Sequence, residues 1–312
     1  MNRMLALLFP GQGSQAVGMG KALAQQYAIA ARVFAEADEA LGFALSTLCF
    51  AGPEEALRLT TNAQPAILAT SIAALRVLEQ ETAVRPAYVA GHSLGEYTAL
   101  VAAGALTLVD AVRVVRERGR LMQEAVPVGV GTMAALFGLS AEEVAQVCAE
   151  AAQGEVVSPA NLNGGGQVVV AGHAGAIRRA VSVAKARGAK RAVELPVSAP
   201  FHCALMAPVA EGLARVLASV PVSLLNVGVI TNVTAEVNQD PHRVKDLLIQ
   251  QVTAPVRWEE SMQRLRALGC EVAIEVGPGR VLAGLLKRSV PELPCVSLYD
   301  PATVAEVREV LA

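Results

Sequence analysis

Aromatic side chains are scarce in this 312-residue chain: one Trp, four Tyr and six Phe make up 4% of it, while 53% is hydrophobic overall. That argues against an aromatic-rich binding surface, and the excess of Ala and Val suits closely packed helices and parallel strands better. Net charge is scarce too, at −2, so no global field draws in nucleic acid or an anionic membrane. The five cysteines, at 49, 148, 203, 270 and 295, contain no C-x-x-C pair and leave one over in any pairing. A disulfide framework is therefore not expected, and a reducing, cytoplasmic location is. No stretch approaches the ~20 apolar residues of a membrane span. The apolar start, Met1 to Phe9, is short for a signal peptide and is stopped by Pro10-Gly11 before any small-residue cleavage site, so it reads as a first strand. Without a secretory context the formal sequon Asn232-Val233-Thr234 carries no meaning.

What the chain does have is alternation. Strand-like and helix-like segments follow one another through the first 125 residues, as in a parallel sheet covered by helices. From Gly131 the order changes to a strand (132–137), a helix capped at Ser140, strands at 155–161 and 167–171, a helix (174–187) and a strand (191–195). This β-α-β-β-α-β order is ferredoxin-like. Gly129 and Gly131 on one side, and Pro196 and Pro200 on the other, are candidate hinges, after which alternation resumes with a late strand at 270–276. The expected fold class is α/β, with a parallel-sheet large subdomain (1–127 and 199–312) and an inserted ferredoxin-like small subdomain (128–198).

Gly91-His92-Ser93-Leu94-Gly95 follows the strand-like Ala87-Tyr88-Val89-Ala90 and precedes the helix-compatible Glu96-Tyr97-Thr98-Ala99-Leu100. In that strand-turn-helix context a G-x-S-x-G string reads as a nucleophile elbow: the glycines allow a turn that a Cβ would obstruct, Ser93 projects, and the Leu94 N–H faces an incipient oxyanion. The chemistry indicated is acyl transfer. Of four histidines, His92 adjoins Ser93 but points differently from it at a sharp turn, His173 starts a helix and His242 sits in the first turn of a helix capped by Asp240. His202, in Ser198-Ala199-Pro200-Phe201-His202-Cys203, has the Ser…His chain order of hydrolase-like folds; it is the candidate base, or else a packed loop histidine. Cys203 has no elbow of its own and is discounted as a nucleophile.

Two further polar residues fall on apolar helix faces. After the cap at Thr107, residues Ala111, Val114, Val115, Met122 and Ala125 make one stripe, and Arg118 lies on it, while Arg113, Arg116, Glu117, Arg120 and Glu124 face the other way. A buried guanidinium needs either a protein carboxylate or a substrate anion. Gln251 extends the stripe of Val244, Leu247 and Leu248, where it either orients an imidazole or closes its own helix end. A third, acidic triad member is hard to find: Asp110 has a capping position and Glu194 ends a strand, which leaves a neutral acceptor to orient the base.

Phe9-Pro10-Gly11-Gln12-Gly13-Ser14-Gln15, Thr61-Asn62-Ala63-Gln64-Pro65-Ala66, the elbow, Arg118-Gly119, Ala199-Pro200-Phe201-His202, Gln251 with Pro255-Val256, and Glu275-Val276-Gly277-Pro278-Gly279 occur in order along the chain. Together they resemble the malonyl-CoA:acyl-carrier-protein transacylases of type II fatty acid synthesis. The resemblance implies a hydrolase-like large subdomain with a ferredoxin-like insertion. It implies Ser93 as nucleophile, His202 as acid/base, the N–H groups of Gln12 and Leu94 as oxyanion hole, and Arg118 on the malonyl carboxylate. A backbone carbonyl near Gln251 would orient the base, and Asn161 and Asn163 would lie near the cleft, so that Arg118, Gln251 and Asn161 are the expected substrate-binding residues. Phe201, before the histidine, resembles the malonyl-selective pattern of polyketide acyltransferases. Malonyl-CoA and holo acyl carrier protein are the implied partners, without nucleic acid, membrane, metal or redox cofactor, and with a monomer expected. Lys185, Arg187, Lys190, Arg191, Lys287 and Arg288 are a candidate basic rim for an acidic carrier. The alternatives are service to a polyketide synthase or malonate decarboxylase, a serine thioesterase or other hydrolase, and an inactive carrier-binding scaffold.

Overall fold

The computed structural model describes residues 3–127, 129–197 and 199–311. Its strands are β1 (Leu5–Phe9), β2 (Tyr88–Gly91), β3 (Gly131–Phe137), β4 (Val157–Gly164), β5 (Gln167–His173), β6 (Arg191–Glu194), β7 (Gly228–Ile230), β8 (Val237–Asn238), β9 (Val272–Val276) and β10 (Cys295–Leu298). They form a six-stranded sheet in the order β10-β9-β1-β2-β7-β8 and a four-stranded sheet in the order β4-β5-β3-β6. The larger sheet is parallel from β10 to β7, with β8 an antiparallel edge. Helices cover both of its faces, so β1 is buried at every position and reads as an unbroken apolar run.

The second strand of that core, β9, carries a charge with a structural job. The buried Glu275 carboxylate accepts the Leu282 N–H at 2.9 Å and the Ala283 N–H at 2.8 Å, satisfying free donors at the start of the Val281–Ser289 helix.

The smaller sheet is wholly antiparallel and has the ferredoxin-like order expected from the sequence, with the Ala141–Ala152 and Ala174–Ala186 helices packed on it. Ser140 and Glu143 make a full capping box at the first of these helices. The strand expected at 155–161 instead runs Val157–Gly164: the Glu155 N–H bonds back to Ala152 O, and its carboxylate pairs with Arg179, so Glu155 closes the preceding helix. Likewise the strand expected from 270 starts at Val272, because the Cys270 N–H is taken by Leu265 O. Of the expected subdomain borders, Val128 and Ser198 lie outside the described residues.

The two sheets are stitched to each other. β4 is an edge strand, and its free edge pairs in parallel with Val256: the Leu162 N–H donates to Val256 O and the Val256 N–H to Ala160 O, both at 2.9 Å. In the register of β1 and β2, Phe9 is opposite Gly91, so the Gln12 loop and the Ser93 turn leave the carboxyl ends of these two adjacent strands side by side. Open parallel sheets place ligand sites outside the carboxyl ends of their strands.

Candidate active site

The turn after β2 is tight. A Cβ on Gly91 would stand 1.9 Å from the Gly95 carbonyl carbon, and one on Gly95 would stand 2.1 Å from Phe9 O, so strand end and helix start touch through bare backbone. Ser93 sits between them at φ 53°, a left-handed conformation that costs a non-glycine residue about 1–2 kcal/mol.

From that turn Ser93 Oγ reaches 2.7 Å from His202 Nε2, and His202 Nδ1 lies 2.8 Å from the main-chain oxygen of Gln251. A carbonyl can only accept, so Nδ1 carries the proton and donates it there. Nε2 is then the bare nitrogen that accepts the serine hydroxyl. Burial, with the Arg118 charge second, pushes the His202 pKa down to about 3, and the Gln251 carbonyl only partly offsets this. The imidazole is thus neutral at physiological pH. The imidazole is oriented by a neutral acceptor, the kind of partner that the lack of a third acid suggested.

Arg118 is 1% exposed, and every partner of its guanidinium is uncharged. Nη1 donates to Gln64 Oε1 at 2.7 Å, and Nη2 to Gln251 Oε1 at 2.9 Å and to Ser93 Oγ at 3.1 Å. Nε has no partner among the described residues, and the Tyr97 ring lies 5.4 Å away. Among those residues no carboxylate forms an ion pair with it. Of the two partners the sequence allowed for this cation, the protein carboxylate is not in contact with it.

Ser93, His202, Arg118, Gln12, Leu94, Asn161, His92 and Phe201 line one cleft of about 530 Å³. The Gln12 and Leu94 N–H groups have no acceptor among the described residues, and Gln12 is held from behind by Thr60 Oγ1, which donates to its Oε1 at 2.8 Å. Gln251 was expected to touch substrate. It is fully buried, does not line the cleft, and fixes the groups that do. Asn163 also stands back: it accepts from His92 Nε2 at 2.9 Å, and the His92 ring packs against Trp258. That occupies His92. His173 accepts the Val156 N–H, and His242 is exposed in its first turn. Cys203 is buried, donates to Pro200 O, and has its pKa raised by burial to about 11. Of the candidate basic rim, Arg187 pairs with Glu150, Arg191 lies over Phe137 and Arg288 donates to Gln167; none of these lines the cleft.

Three participants were not identified from the sequence. Gln64 holds Arg118, as described. Glu96, 2% exposed, accepts from the Asn232 N–H at 3.1 Å and from Gln251 Nε2 at 2.7 Å, both on one oxygen. Burial raises its pKa to about 7 against the pull of those two donors and of Arg118. Asn232 Oδ1 in turn accepts the Ser93 N–H, and its Nδ2 donates to Gly91 O, both at 2.7 Å. The one available signal was a polar residue at the head of a long apolar helix, which applies to Gln64 alone. Asn232 follows a strand end, where Asn is ordinary.

Comparison with known proteins gives a family model, the acyl transferase domain, that matches residues 6–307. The chain is 49% identical over 304 residues to the malonyl CoA-acyl carrier protein transacylase of Escherichia coli K12, covering 97% of this chain and 98% of that one. A crystal structure of an acyl carrier protein S-malonyltransferase from Vibrio cholerae superposes with a TM-score of 0.95 at 51% identity, covering 97% and 99% of the two chains. A malonyl-transacylase solved in complex with a type II polyketide synthase acyl-carrier protein superposes at 0.96 with 44% identity, covering 98% and 99%.

Proposed function

The chain belongs to the acyl transferase domain family, and from that membership we propose that it moves a malonyl group from malonyl-CoA to the phosphopantetheine thiol of an acyl carrier protein through a malonyl ester on Ser93. The observation that carries the reading is the buried guanidinium with only neutral partners beside the serine–histidine pair. A thioester with a free carboxylate supplies the charge that Arg118 lacks.

In the first half-reaction His202 Nε2 takes the Ser93 proton as Oγ bonds to the thioester carbon. The carbonyl oxygen becomes an oxyanion received by the N–H groups of Gln12 and Leu94, and one such donor is worth roughly 3–4 kcal/mol in serine hydrolases. Collapse breaks the carbon–sulfur bond, and the departing CoA thiolate takes the proton from His202. In the second half the carrier thiol gives its proton to His202 and attacks the malonyl ester. Collapse of that adduct breaks the ester bond and returns the proton to Ser93 Oγ. Gln251 O steadies the imidazole while it is charged, and Asn161 and Phe201 shape the acyl end of the cleft.

Fatty acid synthesis is the proposed destination of the product. Service to a polyketide carrier is the second reading, favoured by the likeness to the transacylase solved with such a carrier.

The test is intact mass after mixing with malonyl-CoA. A malonyl adduct forms, Ser93→Ala abolishes it, and the adduct persists in water but discharges on addition of holo carrier protein. An adduct on Cys203 overturns the chemistry, and rapid discharge to water alone makes the protein a hydrolase.

A further inference from the structure

Behind the cleft wall, Ser93, His202 and Arg118 all hang from one buried network. Ser93 is held at both ends of its main chain: its N–H by Asn232 Oδ1 at 2.7 Å and its carbonyl oxygen by Gln251 Nε2 at 3.0 Å. Asn232 also grips the other side of the turn through Gly91 O at 2.7 Å. Gln251 holds the guanidinium with its side-chain oxygen and the imidazole with its main-chain oxygen. What the two amides share is Glu96: its Oε2 accepts the Asn232 N–H and the Gln251 Nε2 together. Neither Glu96 nor Asn232 lines the cleft.

We propose that Glu96 and Asn232 are positioning residues for the transfer, with Asn232 clamping the nucleophile turn and Glu96 fixing the two amides that set nucleophile, base and carboxylate-binding cation relative to one another. The turn needs such a clamp because Ser93 adopts a backbone conformation that it disfavours. With the Ser93 N–H held by Asn232, it is the Leu94 N–H that remains for the oxyanion. Glu96 acts through hydrogen bonds at a single oxygen, so an amide oxygen in the same place can serve; that separates its geometry from its charge.

The inference rests on the acyl-serine reading, and the experiment keeps the two apart. The parent, Glu96→Ala, Glu96→Gln and Asn232→Ala are titrated with a fluorophosphonate probe, which reports the reactivity of the serine–histidine pair without CoA or carrier and counts competent sites. Malonyl transfer is then expressed per competent site. Because misplacing reacting groups by about 1 Å costs on the order of 100-fold, Glu96→Ala and Asn232→Ala are expected to lose about that factor in kcat per site and in labelling rate, with KM for malonyl-CoA within about threefold. Glu96→Gln is expected to stay within about fivefold of the parent, since one oxygen still accepts both bonds. Fewer competent sites with parental turnover per site would assign both residues to stability alone and overturn the proposal. Glu96→Gln as impaired as Glu96→Ala would overturn the hydrogen-bonding role. If the parent reacts with the probe but takes no malonyl group, the functional reading fails while the labelling rates still decide the positioning role.

Discussion

Replacing Arg118 with alanine separates two substrates that differ by one carboxylate. If Arg118 receives the malonyl carboxylate as proposed, the change removes a charge-assisted contact in a buried site and is expected to cost roughly 2–5 kcal/mol in kcat/KM for malonyl transfer, as truncation of one partner of such a pair does. Acetyl-CoA leaves no carboxylate unpaired, so its use holds or rises, and the measured preference inverts. Equal loss with both thioesters, alongside a fall in melting temperature, would make Arg118 a structural residue. Its inward placement was legible because helical periodicity puts it on the apolar stripe, and Ser93 was legible because a short string fixes its turn. Glu96 was not. A carboxylate in the first turn of a helix is the ordinary complement to the helix dipole, and only the packing of the neighbouring Asn232 and Gln251 reveals that this one is buried.

Local rules set most elements well and their ends less well. The box at Ser140 could be read directly because both of its bonds lie within four residues of sequence, Ser140 with Glu143. Ser140→Ala removes this cap and is expected to lower stability by about 1 kcal/mol, read as a drop of about 2 °C in the thermal midpoint. Transfer rates should be unchanged at lower temperature, since the Ala141–Ala152 helix contributes nothing to the cleft. The bounds of β4 were not legible, because they depend on partners distant in sequence. Pro159 within it interrupts the ladder, where register shifts occur, and such a residue is tolerated because β4 is an edge strand. A sequence window contains neither the Arg179 that pairs with Glu155 nor the Val256 that receives the strand's free edge.

For the molecule as a whole, two buried titratable groups of the site, His202 and Glu96, give opposite pH dependences of stability. His202, with its pKa lowered to about 3, stays neutral where the unfolded chain protonates, so its contribution falls as pH drops below the ordinary histidine value of 6.5 and continues falling toward 3. Glu96, raised to about 7, holds a proton that the unfolded chain releases, so its contribution is full below the ordinary value of 4.5 and is lost as pH rises through 7. Between pH 4.5 and 6.5 the two slopes oppose each other. Glu96→Gln removes one of them. Denaturant titrations across that window should show the variant losing stability on acidification relative to the parent, by at most about 1.4 kcal/mol per pH unit. Parallel curves would mean that Glu96 does not hold a proton in the folded state.

The pair of main-chain bonds between β4 and Val256 ties one wall of the cleft to the chain leaving Gln251, and Gln251 is what the imidazole leans on. The smaller sheet therefore cannot swing outward like a free door. Either the seam at Leu162 and Val256 tears, or the swing drags the anchor of His202 with it. On the proposed reading, the wall of the cleft and the seat of the imidazole thus share one short stretch of chain, from Gln251 to Val256.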